Sequence, residues 1–202
     1  WDEALAGSIR AIYSNQGEVC LAGSRLLVED AIYDRFLADF VDRASKLKIG
    51  NPLQEDTELG PLVSAEHLQR VRGYVDVAQD EGAKIVYGGR TPAGWEKGNF
   101  LEPTVIADVD NKMRCAQEEI FGPVVVVERF KGEEQAIRLA NDCRYGLAGV
   151  VWTNDLRKAH RVAQSVDAGT IWVNCWFVRD LRVPFGGMKE SGIGREGGHW
   201  SL

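Results

Sequence analysis

The sequence has no run of about eighteen consecutive apolar residues and no basic-then-apolar amino terminus, which argues against a membrane span and an intact secretory leader. It has no surplus of basic charge either. Twenty-four Lys and Arg against thirty Asp and Glu leave a net charge of −6, the wrong sign for a protein that neutralises nucleic-acid phosphates. The acidic excess is spread along the chain without a tail, so charge alone names no partner. Cysteine is scarce: Cys20, Cys115, Cys143 and Cys175 lie far apart with no C-x-x-C pair, and His67, His160 and His199 do not complete a zinc ligand set. No metal site is expected. A disulfide framework is not expected either, because a chain of 202 residues that is 45% apolar buries a core without staples. Reduced thiols in a cytoplasmic compartment are the default.

What is present is an alternation of helical and extended patterns. Residues 1–15 read as the end of a helix, followed by a turn holding Gly17 and Cys20, and Ser24–Val28 as a short strand. From Asp30 the apolar stripe Ile32, Tyr33, Phe36, Leu37, Phe40, Val41, Ala44 and Leu47 predicts a core-facing helix that Gly50-Asn51-Pro52 ends. A second helix is expected over Ser64–Glu81 with Ser64 as N-cap, then a strand Lys84–Tyr87 and a Gly-rich loop from Gly88 to Gly98. Pro123–Phe130 carries four consecutive valines, the mark of a strand buried on both faces. Helices near Gly132–Asn141 and Asp155–Val166 and strands near Leu147–Thr153 and Gly169–Val173 complete the series. Such alternation implies an α/β fold, a mainly parallel sheet flanked by helices, and no linker divides it, so one domain over residues 1–202 is expected. Trp1 opens directly in a helical pattern and His199-Trp200-Ser201-Leu202 reaches no stop signal, so the chain reads as a segment of a longer protein.

Four segments could carry chemistry. Cys20 stands in Asn15-Gln16-Gly17-Glu18-Val19-Cys20, between a helix and a strand. It reads either as a nucleophile, which needs the thiolate form, or as a small buried apolar residue between Val19 and Leu21. In Glu118-Glu119-Ile120-Phe121-Gly122-Pro123 a carboxylate could accept both hydroxyls of a ribose and Phe121 could pack on a flat ring, or the stretch is a solvated acidic turn with Phe121 plugging the core. Between Asn174 and Gly187, Trp176, Phe177 and Phe185 surround Arg179 and Arg182; a guanidinium among apolar walls suits a carboxylate, and a surface cluster Arg179–Asp180–Arg182 is the alternative. Finally, Gly192-Ile193-Gly194-Arg195-Glu196-Gly197 is a literal G-x-G-x-x-G. Without a preceding strand or room for a following helix it is not a dinucleotide fingerprint.

The order and spacing of these segments say more than any one of them. Asn15 to Cys20 followed by Ala22-Gly23-Ser24-Arg25 resembles the active-site cysteine motif of the aldehyde dehydrogenase superfamily. Leu59-Gly60-Pro61-Leu62 is similar to a loop of that family, Glu118 to Pro123 to its E-E-I-F-G-P cofactor motif, and Pro184 to Glu196 to its C-terminal P-F-G-G-x-K-x-S-G-x-G-R-E signature. The resemblance spans nearly the whole chain and implies the family's catalytic domain. It implies that Cys20 attacks an aldehyde to give a thiohemiacetal, that hydride passes to a nicotinamide, and that the resulting thioester is hydrolysed to a carboxylic acid. The backbone N–H of Cys20 would supply half of an oxyanion hole. Glu119 would hold the nicotinamide-side ribose with Phe121 beside the ring, and Glu196 matches a position proposed as a proton relay. NAD is the expected cofactor, with NADP left open.

By the same resemblance, the Rossmann NAD-binding domain, the general-base Glu of an E-L-G-G motif and the oxyanion-hole Asn lie upstream of residue 1, and an oligomerisation strand lies beyond residue 202. The isolated chain is therefore expected to turn over no aldehyde, and the full-length protein to be a dimer or tetramer acting on a small aldehyde, with no nucleic-acid or membrane partner. The stretch Asn174 to Arg182 is similar to the subgroup acting on 2-aminomuconic and 2-hydroxymuconic semialdehydes, whose remote carboxylate would give a buried Arg a purpose. Arg179 is the first choice for that clamp and Arg182 the second, with Trp176 and Phe185 lining the substrate site. Loss of a desolvated clamp would cost about 2–5 kcal/mol. Two rivals stand beside it: a dehydrogenase of neutral or aromatic aldehydes with Arg179 merely paired to Asp180, and a non-catalytic interaction domain.

Overall fold

A computed structural model describes residues 1–201. The elements in chain order are α1 (Asp2–Tyr13), β1 (Arg25–Glu29), α2 (Tyr33–Ser45), α3 (Ala65–Asp80), β2 (Lys84–Tyr87), β3 (Thr104–Ala107), α4 (Arg114–Gln117), β4 (Val124–Phe130), α5 (Gly132–Asn141), β5 (Tyr145–Gly146), β6 (Ala148–Val151), α6 (Leu156–Ser165), β7 (Thr170–Val173) and β8 (Met188–Lys189). The chain is α/β and groups into two compact units, Ser8–Arg129 and, separately, Trp1–Gly7 with the stretch from Phe130 onward.

The first unit is built on a four-stranded sheet in the order β1-β4-β3-β2. β3 and β4 are parallel, Thr104 opposite Val124, while β2 runs antiparallel to β3 at the edge. The four valines Val124 to Val127 are wholly buried, as a strand covered on both faces requires. Side chains alternate along the strand. Val124 and Val126 enter a cluster with Leu68, Val71, Val75 and Ala78 of α3. On the chain's other packing surface Phe36 and Phe40 of α2 stack at 6.0 Å, Phe40 meets Tyr13 at 6.2 Å, and Tyr33 donates from its hydroxyl to the Val127 carbonyl at 3.1 Å. Burial raises the Tyr13 phenol well above its ordinary range, so it stays protonated and donates to the Thr104 carbonyl.

α3 begins as its sequence demands, with the Ser64 hydroxyl accepting from the His67 N–H at 3.1 Å. Two expectations need correction. α2 stops at Ser45, not at Gly50, because the chain tightens there through Lys46 N–H to Arg43 and Leu47 N–H to Ala44, after which Ile49 and Gly50 pair with Leu59. Tertiary pairing outcompetes further helical bonds. The strand β3 is absent from the sequence reading; four residues after a Pro-bearing loop are too few for a period to show, yet all four are buried.

In the second unit β6 and β7 form a parallel pair joined through α6, whose N-cap Asp155 accepts from the Lys158 N–H. β5 and β8 make a short antiparallel pair. The glycines of the C-terminal signature allow close backbone approach: a Cβ on Gly169 would lie 1.6 Å from the Gly186 carbonyl oxygen, and one on Gly186 2.2 Å from that of Gly194. The polar groups of the signature serve the same unit. Ser191 accepts from the Gly146 N–H at 3.0 Å, and Arg195 donates to the carbonyls of Gly187 and Gly194. Lys189 donates to the carbonyls of Asn141 and Cys143 at 2.8 and 3.0 Å, a cation closing the C-terminal end of α5. Lys189→Met is therefore expected to lower stability by about 1–3 kcal/mol, read by denaturant unfolding, since it takes a charged donor from both carbonyls and leaves that of Asn141 only the Cys143 N–H.

Candidate active site

The first unit brings together Cys20 and the Glu118–Pro123 segment. Helix α1 gives way to a turn over Ser14–Gly17 in which Asn15 (φ 49°), Gln16 (φ 57°) and Gly17 (φ 73°) are all left-handed. Three such residues reverse the chain sharply, and the turn is held by the Glu18 N–H donating to Asn15 and by the Asn15 amide donating back to the Glu18 carbonyl. Next, Ala22 N–H donates to the Val19 carbonyl at 2.9 Å, which places Cys20 at the first central position of a β-turn. Its side chain is exposed, and its own N–H makes no hydrogen bond among the described residues. A thiol with an open approach and a backbone donor beside it is the arrangement a nucleophile with half an oxyanion hole needs. Cys115 offers the opposite: it is buried, and desolvation pushes its thiol up to about 11, leaving it protonated at neutral pH.

The Glu118–Pro123 turn stands directly against this loop. A Cβ on Gly17 would come within 2.1 Å of the Gly122 carbonyl oxygen, so the two main chains touch. Both segments lead into neighbouring strands, β1 and β4, whose starts are joined by Val126 N–H donating to Ser24. Open α/β sheets usually take ligands beyond the carboxyl ends of their strands; here the paired segments precede the strands.

The two glutamates differ in a way the sequence does not show. Glu118 is occupied, taking two hydrogen bonds from Arg114 at 2.8 and 3.0 Å and one from the Tyr74 hydroxyl at 2.9 Å. Glu119 is exposed, and its carboxylate has no partner among the described residues, only its main-chain carbonyl accepting from Arg70. Ile120, which follows Glu119 directly, is buried and anchors the turn. Phe121, at φ 59°, is half-buried with its ring edge-on to His67. An unencumbered carboxylate and a partly open aromatic face fit the ribose and ring of a nicotinamide nucleotide.

The sequence places Gln16, Glu18 and the Leu59–Leu62 loop in separate motifs and does not show that they brace one another. Gln16 accepts from the Gly60 N–H, and Glu18 from the Val63 N–H at 3.1 Å, so residues 60–63 support the turn that carries Cys20. The resemblance of Leu59-Gly60-Pro61-Leu62 to a family loop, with Ser64 as the N-cap after it, marks the segment but not what it braces.

The second unit holds the remaining candidates. The Asn174 amide bonds both the N–H and the carbonyl of Thr153, each at 2.9 Å, closing the end of β6 and β7. Trp176 and Phe177 stack at 5.0 Å, and the Trp172 indole donates to the Val178 carbonyl at 2.8 Å, pinning the loop just before Arg179. The Arg179 guanidinium lies 4.5 Å from the centre of the Phe185 ring. Phe185 and Glu196 exchange both backbone hydrogen bonds, at 2.7 and 2.8 Å, which places their side chains on one face of that bridge.

Two expectations change here. Arg179 is exposed, not buried, its guanidinium lying on the face of the half-buried Phe185 ring. Asp180 pairs with Arg182, not with Arg179; the Arg182 Nε–H donates to both carboxylate oxygens at 2.9 and 3.1 Å, which holds the Asp180 carboxyl below the usual carboxylate range and engages the guanidinium expected as second clamp. Glu196 is exposed. Among the described residues no three His, Cys, Asp or Glu side chains gather as metal ligands, and no helix is long and apolar enough to cross a membrane.

With this geometry in place, comparison with known proteins gives the family. The aldehyde dehydrogenase family model matches residues 1–202. This chain belongs to the aldehyde dehydrogenase family. Betaine aldehyde dehydrogenase of Bacillus subtilis (strain 168) is 49% identical over 201 residues, covering 98% of this chain and 41% of that protein. A 2-aminomuconic 6-semialdehyde dehydrogenase of a Pseudomonas species is 47% identical over 205 residues, covering 100% and 42%. Among solved structures, betaine aldehyde dehydrogenase of Staphylococcus aureus in complex with NAD+ superposes with a TM-score of 0.96 at 47% identity, over 98% of this chain and 40% of that one. The chain thus spans about two fifths of the length of the relatives it matches.

Proposed function

We propose that the protein carrying this chain oxidises an aldehyde bearing a remote carboxylate, of the muconic semialdehyde type, to the corresponding acid. The observation that carries the substrate class is Arg179. Its neighbour Asp180 is taken by Arg182, so the Arg179 guanidinium rests on Phe185 with no carboxylate of its own among the described residues. A cation held on an aromatic face and left without a counter-ion suits an anionic ligand. Betaine aldehyde, by contrast, carries a fixed positive charge that this guanidinium would repel.

In this reading the Cys20 thiolate forms a bond to the aldehyde carbon and the carbonyl oxygen takes the displaced electron pair, stabilised by the Cys20 N–H. Glu119 and Phe121 would hold NAD, which, when bound, supplies the acceptor for the hydride that leaves the substrate carbon. Water then cleaves the thioester on Cys20, releasing the acid and restoring the thiol. Glu196, on the Phe185 face, is proposed as a proton relay toward solvent. Residues 1–202 form the catalytic portion of a cytoplasmic enzyme that works as a dimer or tetramer, a compartment consistent with four free cysteines.

The test follows NADH absorbance in the full-length protein, wild type and Arg179→Ala, with 2-hydroxymuconic semialdehyde and with an uncharged aldehyde of similar length. Arg179→Ala is expected to lower kcat/KM for the acidic substrate about tenfold to a hundredfold, an exposed charge-assisted contact being worth less than a desolvated one, and to leave the uncharged substrate within about twofold. Equal response of both substrates removes the clamp. A gain toward betaine aldehyde with no loss on the semialdehyde assigns the aromatic pair Trp176 and Phe177 to a cationic substrate instead.

A further inference from the structure

His67 has no part in the scheme above, yet it touches both halves of the site in the first unit. Its Nε2 lies 2.7 Å from the Phe121 carbonyl oxygen and 3.5 Å from Glu18 Oε1. A carbonyl oxygen only accepts, so the short contact places a proton on Nε2. Both side chains of the pair are largely withdrawn from water, His67 at 13% and Glu18 at 10% exposure. Glu18 stands two residues before Cys20, and the oxygen that faces His67, Oε1, also accepts from the Val63 N–H at 3.1 Å. Phe121 sits in the left-handed region, at φ 59°, a conformation that a bulky residue keeps only where its surroundings hold it. Gly122 follows it and abuts Gly17, so any shift of the Phe121 peptide is passed through that backbone contact to the nucleophile turn.

We propose that His67 is a positioning residue whose imidazole latches the Cys20 turn to the Glu119–Gly122 turn, its Nε2–H donating to the Phe121 carbonyl with the Glu18 carboxylate beside the same nitrogen. The inference rests on the aldehyde-oxidation reading for its effect on rate, though not for the latch itself. A substrate carbon bonded to Cys20 could pass its hydride to a nicotinamide held by the Glu119–Gly122 turn only within a narrow range of loop separations. The latch ties both loops to the first turn of α3. Its own placement comes from the main chain, because the His67 N–H is capped by Ser64 whatever side chain the position carries.

That separation gives the test. His67→Ala removes the imidazole and keeps the cap; His67→Gln returns an amide N–H at about the reach of Nε2. Hydrogen–deuterium exchange and steady-state kinetics are run on the full-length protein. In His67→Ala, amides of 16–22 and 119–124 are expected to exchange about tenfold faster together while α3 keeps its protection. The same variant should lose about tenfold in kcat with KM for the aldehyde within about twofold, and His67→Gln should recover most of both losses. Unchanged exchange in either loop, a kcat that stays put while the loops loosen, or a Gln variant as impaired as Ala overturns the latch. Loss of protection across α3 assigns His67 to helix stability and overturns it as well. A wild-type protein that oxidises no aldehyde sinks the catalytic reading and the rate effect, and the exchange arm then decides the latch alone.

Discussion

Replacing Cys20 by Ser is expected to lower NADH production from any aldehyde by about a thousandfold or more in the full-length protein, with NAD binding unchanged. The expectation comes from comparing the four thiols. Cys20 is exposed on a β-turn with a free N–H beside its sulfur, and it is the cysteine that abuts the Glu119–Gly122 turn through Gly17. Cys115 is buried and held protonated by desolvation. Cys143 accepts from the Tyr145 N–H at 3.4 Å and its carbonyl takes Lys189, a structural position. Cys175 is partly buried in the second unit beside the stacked Trp176 and Phe177. Ser at 115, 143 or 175 should therefore leave kcat within a few-fold. NADH production that survives Cys20→Ser, or vanishes equally in Cys143→Ser, would remove Cys20 from the mechanism.

Gly17→Ala is expected to have the largest effect of any conservative change in the first unit. A methyl group there meets the Gly122 carbonyl oxygen at 2.1 Å, its carbon at 2.6 Å and the Ile12 oxygen at 3.1 Å. All three are backbone atoms, so no side-chain rotation relieves the clash, and the φ of 73° adds strain of its own. Stability should fall by about 3 kcal/mol or more, or the loops should part and kcat fall about a hundredfold at retained fold. Gly73→Ala supplies the contrast. That glycine lies inside α3 with nothing within 4 Å of the new methyl, and alanine there should stabilise by up to about 1 kcal/mol through helix propensity. Denaturant unfolding of the two variants side by side checks both signs; an equal, small response from each would mean that Gly17 is not a contact point.

Legibility in the sequence followed the strength of local signals. The Ser64 cap, the α3 stripe and the run Val124 to Val127 were readable because each element carries its own period or cap, and burial then matched it. The end of α2 was misread because the residues beyond Ser45 are recruited by Leu59, a partner no local pattern announces. β3 was missed for the same reason: its identity lies in pairing with β2 and β4, not in its four residues.

The same division runs through the site. Residue types in order were enough to name the family and to offer Cys20, Glu119 and Arg179 as candidates. They could not say which glutamate is occupied, since the engagement of Glu118 needs, besides its neighbour Arg114 four residues earlier, the Tyr74 hydroxyl arriving from α3. Nor could they assign Asp180 to Arg182 over Arg179, because both guanidinium groups lie within two residues and only the loop's turn selects one. The contact of Gly17 with Gly122, and the reach of His67 to Phe121, join residues 105 and 54 positions apart (122 − 17 and 121 − 67). Covalent neighbours set propensity, but hydrogen bonds and close backbone contacts between distant segments exist only once the chain has folded, and it is these that turn a cysteine motif and a glutamate motif into one site.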